Sequence, residues 1–250
     1  MATWLGHLRV AEKLLPHFPD LDPGQFAYGS LAPDFGKPLK DGSFYPTKDV
    51  SHFLTRVDDK SVFLDLSFFR KYLSEDKASH DIPRYSFLLG YFFHLTMDGL
   101  WSRWIGTACK RDYGEMIEEM GEEAWWTMKD DWYGIDVQYA QENREGIFWN
   151  EVMALKDLPI YLDFQNNNAV RNQVERIQKL YSDPPADLAE RADFPYLSKT
   201  TMQRYVDDSA EFLLEYFQLI SKDGIPDGCK SFLDLFPPDR FLPYPPPLGE

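Results

Sequence analysis

The stretch "GYFFHLTMDGLW", residues 90–101, restricts the possible folds more than any other part of the chain. Residues 87–104 are apolar on nearly every side, the pattern of a buried central helix rather than a surface one. The uninterrupted apolar part runs only from Phe87 to Phe93, far short of the roughly 20 residues that a membrane span requires. Two ionisable residues stand in this oily run, four positions apart. Positions i and i+4 share one helix face, so His94 and Asp98 point the same way, with Cβ atoms about 6 Å apart. An unpaired buried carboxylate is costly, so Asp98 requires a partner: His94 as imidazolium, Arg103 or a metal ion.

Helical spacing dominates the rest of the chain and predicts helices near 3–16, 59–75, 84–105, 112–128, 145–156, 167–182 and 198–221. No segment alternates every second residue between turn signals, so a β-sheet is not expected. The segment "FPDLDPGQFAYGSLAPDFGKPLKDGSFYPTKDVSHF" is rich in Pro, Gly and Asp and too long for a simple connector, the signature of a functional loop. Its aromatics, among them Phe26, Tyr28 and Phe35, predict that it packs against the body. The tail "FPPDRFLPYPPPLGE" reads as extended, polyproline-like chain on the surface. The expectation is an all-α, single-domain helical bundle over 1–236, with a long N-terminal loop and a Pro-rich extension over 237–250.

A length of 250 residues is ample for a sizeable core, and the formal charge of −15 repels phosphate backbones and anionic lipid surfaces. General nucleic-acid binding is therefore not expected. The two cysteines, Cys109 and Cys229, have no metal-binding spacing and read as free thiols in a reducing compartment. Residues 1–20 contain no signal-peptide core but an amphipathic helix, with Leu5, Leu8, Ala11 and Leu15 on one side. A cytoplasmic protein without a transmembrane segment is expected.

Three of the five histidines sit among apolar neighbours: His7 in "WLGHLRVAEKLL", His52 in "VSHFLT" and His94. With Asp34 in "GSLAPDF" and Asp98 they make a set of three imidazoles and two carboxylates. That is ligand chemistry suited to zinc or another first-row divalent ion. An HxxxD pair on a rigid helix supplies two ligands to one ion, and the second oxygen of Asp98 can bridge to another.

In order and context these motifs resemble the zinc-dependent phospholipase C family, whose superfamily includes single-strand nucleases. The resemblance covers roughly residues 1–105: a first helix with an early histidine, "LGHLRVAEKLL"; an acid in a Gly- and Pro-rich loop, "GSLAPDF"; a lone histidine, "SHF"; and a buried HxxxD helix, "LLGYFFHLTMDGLW". It implies an all-α bundle with the metal cluster at its centre and hydrolysis of a small phosphoester or a phospholipid headgroup. Carried over, Asp34, His52, His94 and Asp98 bind one zinc ion, and His7 with Asp98 as bridge holds a second. Secreted members complete the second site with an N-terminal tryptophan. Here the start is Met-Ala-Thr-Trp, and removal of Met1 would place the Ala2 amine beside His7 in sequence. The resemblance gives Asp34 the additional role of orienting the attacking water.

The family holds a further ion with two histidines and a carboxylate after the HxxxD helix, but this chain has no histidine after His94. Glu118 and Glu122 in "MIEEMGEEAWW" are either oxygen ligands in their place or a solvated helix face. At most two firmly held ions are expected. Trp101, Trp104, Trp125, Trp126 and Trp132 are either core residues or the lining of a pocket for a cationic headgroup. Two other functions remain open: a non-catalytic helical protein with one structural ion, and an HD-type metal phosphohydrolase using His80 and Asp81.

Overall fold

In the computed structural model, which describes residues 1–40, 44–57, 60–74 and 81–245, helices account for most of the chain. In chain order they are α1 (Trp4–Leu14), α2 (Pro23–Leu31), α3 (Lys48–Ser51), α4 (Asp65–Tyr72), α5 (Ile82–Trp101), α6 (Thr107–Asp112), α7 (Gly114–Met120), α8 (Glu122–Glu142), α9 (Asn167–Ser182), α10 (Ala186–Ala189) and α11 (Lys199–Asp223). Two antiparallel hairpins interrupt them, β1 (Lys37–Pro38) with β2 (Phe44–Tyr45), and β3 (Leu54–Val57) with β4 (Lys60–Phe63). The fold is all-α, as the spacing predicts. Among the described residues, no helix is long and apolar enough to cross a membrane.

Helix α5 is the axis of the bundle. Asp81 caps it by accepting from the Arg84 N–H, Pro83 fits its first turn, and every residue from Ser86 to Trp101 is buried. Its closest neighbour is α2. A Cβ on Gly29 would lie 2.0 Å from the Phe87 carbonyl oxygen, and one on Gly90 would lie 2.3 Å from that of Phe26. The two glycines thus let the helices meet backbone to backbone, closer than any side chain permits.

A second tie is polar. Asp65, fully buried at the start of α4, accepts from Tyr216 Oη of α11 at 2.6 Å, Thr96 Oγ1 of α5 at 3.2 Å and the Phe232 N–H at 3.1 Å. One carboxylate therefore joins three parts of the chain. Asp131 of α8 does the same for the segment before α11, accepting from Arg191 and from the Tyr196 and Leu197 N–H groups.

Several expected boundaries are corrected. Helix α2 lies inside the segment read as a loop; Asp22 accepts from the Gln25 N–H, and Pro23 occupies the first turn, so the start signal was present. Of the expected helix 59–75, Lys60–Phe63 is strand β4 and the chain becomes helical only at Asp65, while residues 59 and 75 lie outside the described residues. The expected helix 112–128 is broken at Gly121, whose φ of 62° lies in the left-handed region, between α7 and a much longer α8. Segment 145–156 forms only a wide π-helical turn, Phe148–Val152, and α5 likewise ends in a π turn, Ser102–Gly106. The tail is no loose extended strap up to residue 245. It makes a 3₁₀ turn at Pro238–Phe241, and Tyr244 is buried, its ring stacked on Trp104 at 5.6 Å. Residues 246–250 lie outside the described residues.

Two consequences are measurable. In Gly90→Ala, the clash outweighs the gain in helix propensity of about 1 kcal/mol. A net loss of about 3 kcal/mol or more is expected in urea unfolding. Burial pushes the Asp65 carboxyl up to about 6, against hydrogen bonds from Tyr216, Phe232 and Thr96 that favour its charge. A raised folded-state pKa gives stability that is present below the unfolded value and lost as pH rises through the folded one. Relative to the wild type, Asp65→Asn should therefore gain about 3 kcal/mol between pH 4 and 7 in unfolding titrations. A parallel pair of pH profiles would disprove this.

Candidate metal centre

His7, Asp34, His52, His94 and Asp98 come from four elements, and the structure brings all five together. His7 lies on the inner face of α1, a helix that Thr3 caps by accepting from the Gly6 N–H. Asp34 ends the 3₁₀ turn that follows α2. His52 closes α3, and Phe53 takes a left-handed φ of 48° to turn the chain into β3. His94 and Asp98 stand one turn apart in the middle of α5. His7, His94 and Asp98 are 0% exposed, His52 is 1% exposed, and Asp34, at 15%, is the ligand nearest solvent.

Two of the three imidazoles, His94 and His52, have a partner behind the ring. A carbonyl only accepts, so Ser30 O, 2.8 Å from His94 Nδ1, fixes the proton on Nδ1 and leaves the Nε2 lone pair facing the cluster. Ser30 occupies that place because Gly29 and Gly90 let α2 approach α5. Ser51 Oγ lies 2.9 Å from His52 Nδ1, and the Tyr91 hydroxyl donates to the Ser51 carbonyl, holding α3 against α5. His7 stacks on His94 with ring centroids 3.7 Å apart and planes 9° from parallel.

The inward-facing atoms are short of partners. His7 Nε2, His52 Nε2, His94 Nε2 and Asp98 Oδ2 are buried and have no hydrogen bond. Asp98 Oδ2 lies 3.5 Å from His94 Nε2 and 3.6 Å from His52 Nε2; His52 Nε2 lies 3.3 Å from Asp34 Oδ1, and His7 Nε2 lies 3.4 Å from Asp98 Oδ1. These spacings exceed the usual hydrogen-bond range of about 2.7–3.2 Å. They equal the edge of a tetrahedron of ligands around one zinc ion, which is about 3.3–3.6 Å for bonds of about 2.0–2.2 Å. Asp34, His52 and His94 form one group able to hold an ion, and His7, His94 and Asp98 form another. Asp98 faces both ways: Oδ2 toward His52 and His94, Oδ1 toward His7 and the Ala2 N–H, which donates to it at 2.9 Å. Arg103 is not among its partners.

Electrostatics agree with a cation at the centre. Burial alone would raise the Asp98 carboxyl, but the charge of His94 and the imidazole of His7 beside it hold it well below the carboxylate range. Asp34, also opposed by burial, is brought down to about 2 by the adjacent His52 imidazole and the charge of His94. Burial, and then the neighbouring charge of His94, push His7 down to about 4. Although burial opposes it, the charge of Asp98 holds the His94 imidazole above its ordinary value, and a metal ion there would take the place of the Nε2 proton.

The other sequence candidates lie elsewhere. Glu118 and Glu122 are exposed and fall on separate helices, α7 and α8, so they form the solvated face and no shared helical pair. Asp81 is engaged in capping α5, and His80 lies outside the described residues. Trp101, Trp104 and Trp132 are core residues, whereas Trp126 is 62% exposed. Sequence reasoning missed Ser30 and Ser51 as the groups that aim His94 and His52. Ser51 adjoins its histidine in "VSHF" and offered a signal; Ser30 acts through its backbone and offered none.

The shared carboxylate makes a sharp prediction for metal content, read by elemental analysis of protein purified without chelators. Asp98→Ala should lose all tightly bound metal, because Oδ2 faces His52 and His94 while Oδ1 faces His7. His7→Ala should lose one ion and keep the other. Full metal retention in Asp98→Ala would refute the bridging arrangement.

Compared with known proteins, the chain matches no family model and has no significant match among curated proteins or solved structures.

Proposed function

We propose that this protein is a metal-dependent hydrolase of phosphoric esters, built on the plan of the zinc-dependent phospholipase C and single-strand nuclease superfamily. The observation that supports it best is the set of N···O spacings of 3.3–3.6 Å among unpartnered buried donor atoms, which fit zinc ligands better than hydrogen bonds. The order of the ligands along the chain is the order of the resemblance. In this reading Asp34, His52, His94 and Asp98 hold one ion, while His7 and the other oxygen of Asp98 hold a second.

Divalent ions in such a centre act as Lewis acids and offset phosphate charge. The chain's own part is to keep the centre dry and rigid and to supply one group at its edge. Asp34 is that group. Its Oδ1 lies 3.3 Å from His52 Nε2, and with 15% of its side chain exposed it is the member of the cluster that water can reach. It orients that water for attack on phosphorus; the new P–O bond forms, the ester P–O bond breaks, and the alcohol leaves with a proton.

The depth of the centre favours one other reading, a structural ion in a non-catalytic helical protein, since four of the five residues are closed to solvent. The two are separated by assaying zinc-loaded protein on p-nitrophenyl phosphate, bis(p-nitrophenyl) phosphate and phosphatidylcholine. Hydrolysis of at least one ester is expected. Asp34→Asn should lower kcat on the order of 10²-fold or more, with zinc content measured in parallel. Fully zinc-loaded protein that hydrolyses none of the three would leave the structural ion as the reading.

A further inference from the structure

On the far side of α1 from His7, a cleft of about 550 Å³ lies between α1, α8 and α11. That size falls within the range of small-molecule sites. Arg9 and His7 are two positions apart, so their side chains leave the helix about 200° from each other. His7 turns to the metal centre and Arg9 to the cleft. Arg9 is 5% exposed, whereas Gln203, Arg204 and Asp207 on the α11 wall are exposed, so the guanidinium forms the floor. It lies over the ring of Tyr139 of α8, 4.0 Å from the centroid, and Nη2 donates to Gln203 Oε1 at 2.6 Å.

This guanidinium lacks a counter-charge. Among the described residues it makes no ion pair, and its Nε is buried without a hydrogen bond. With a formal charge of −15, the chain has carboxylates in plenty to supply one. Those of the cleft are committed to other cations: Asp207 to Lys13 at 2.9 Å, Asp208 to Arg204 at 3.3 Å and Glu142 to Lys199 at 3.7 Å. Asp136 of α8, whose ionised form the charge of Arg9 favours, accepts from Tyr181 Oη at 3.1 Å and makes no ion pair with Arg9. The rim pairs cancel, which leaves one positive charge at the floor. A buried charge without a partner is costly, and an anion seated on it removes that cost.

We propose that the cleft is a second ligand site, in which Arg9 binds the carboxylate of a small organic acid. A guanidinium presents its donors in a planar fork that matches a carboxylate, and stacking on Tyr139 fixes that plane. Ile135 and Tyr139 give the body of the acid an apolar wall, and Thr200 adds a hydroxyl. A single charge is part of the specificity. Glu142, Asp207 and Asp208 in the same cleft repel a second negative charge, so a monocarboxylate is favoured over a phosphate dianion. The site therefore takes a different class of compound from the ester proposed for the metal centre, and neither claim depends on the other.

The test uses full-length, zinc-loaded protein with isotope-labelled arginine, titrated with benzoate and with neutral benzamide. NMR reads the Arg9 Nε–H signal, which Arg9→Lys identifies by its loss. Benzoate should shift that signal saturably, and benzamide should leave it in place. Gln203→Glu is the decisive variant, because it sets a carboxylate against Nη2 in place of the amide and leaves the guanidinium no surplus charge. It should bind benzoate about tenfold more weakly, with zinc content equal to that of the wild type. An Arg9 signal unmoved by benzoate would overturn the site, even where benzoate is taken up at the metal centre. Equal binding of benzamide, or full affinity in Gln203→Glu, would overturn it as well. Inorganic phosphate that moves the signal at lower concentration than benzoate would overturn the choice of a carboxylate.

Discussion

The backbone contact between α2 and α5 is the constraint on which the rest of the centre depends. Helices normally pack at about 8–10 Å between axes, because side chains hold them apart. At Gly29 and Gly90 nothing holds them apart, and the Phe26 and Phe87 carbonyls occupy the space where Cβ atoms would be. That approach fixes the register of α2 along α5. The register carries the Ser30 carbonyl to His94 and delivers Asp34, three residues after Leu31, to the rim of the same cluster. A packing detail between two apolar helices thus decides the geometry of a polar site.

Around this contact the chain accepts a severe electrostatic cost. Three imidazoles and two carboxylates share a volume from which water is largely excluded, and four of their inward atoms have no hydrogen bond. Each unmet buried polar atom costs about 1–3 kcal/mol. Two other carboxylates are satisfied in the usual way: Asp65 and Asp131 are equally buried, yet each accepts several hydrogen bonds. The contrast between Asp65 and Asp98 is informative. Both are buried aspartates in a helical core, and only the one among histidines is left with an unmet oxygen.

How much of this was legible in the sequence varies by level. The central helix was, because an all-round apolar run with few exceptions has one physical destination. The five clustered residues were named from their apolar settings and order, although each comes from a different local context. Helix α2 was hidden by Gly24 and Gly29, poor helix formers, of which Gly29 serves the close approach to α5 and is only explicable once that approach is seen. The break at Gly121 was overlooked because Glu118 and Glu122 kept helical spacing across it. Backbone groups such as Ser30 O are invisible to residue patterns altogether.

The closure of the centre also has a kinetic meaning. With His7, His52, His94 and Asp98 shut away from solvent, an ion has no open channel past them, and its traffic requires that part of the wall lift. The short α3, held by the Tyr91–Ser51 hydrogen bond and followed by the left-handed turn at Phe53, is one piece of that wall that could lift. Exchange is then timed by local opening of a few residues and not by the strength of the coordination bonds. A centre of this kind can retain its ion through long exposure to a chelator that would win at equilibrium, so occupancy records the history of the molecule as much as its surroundings.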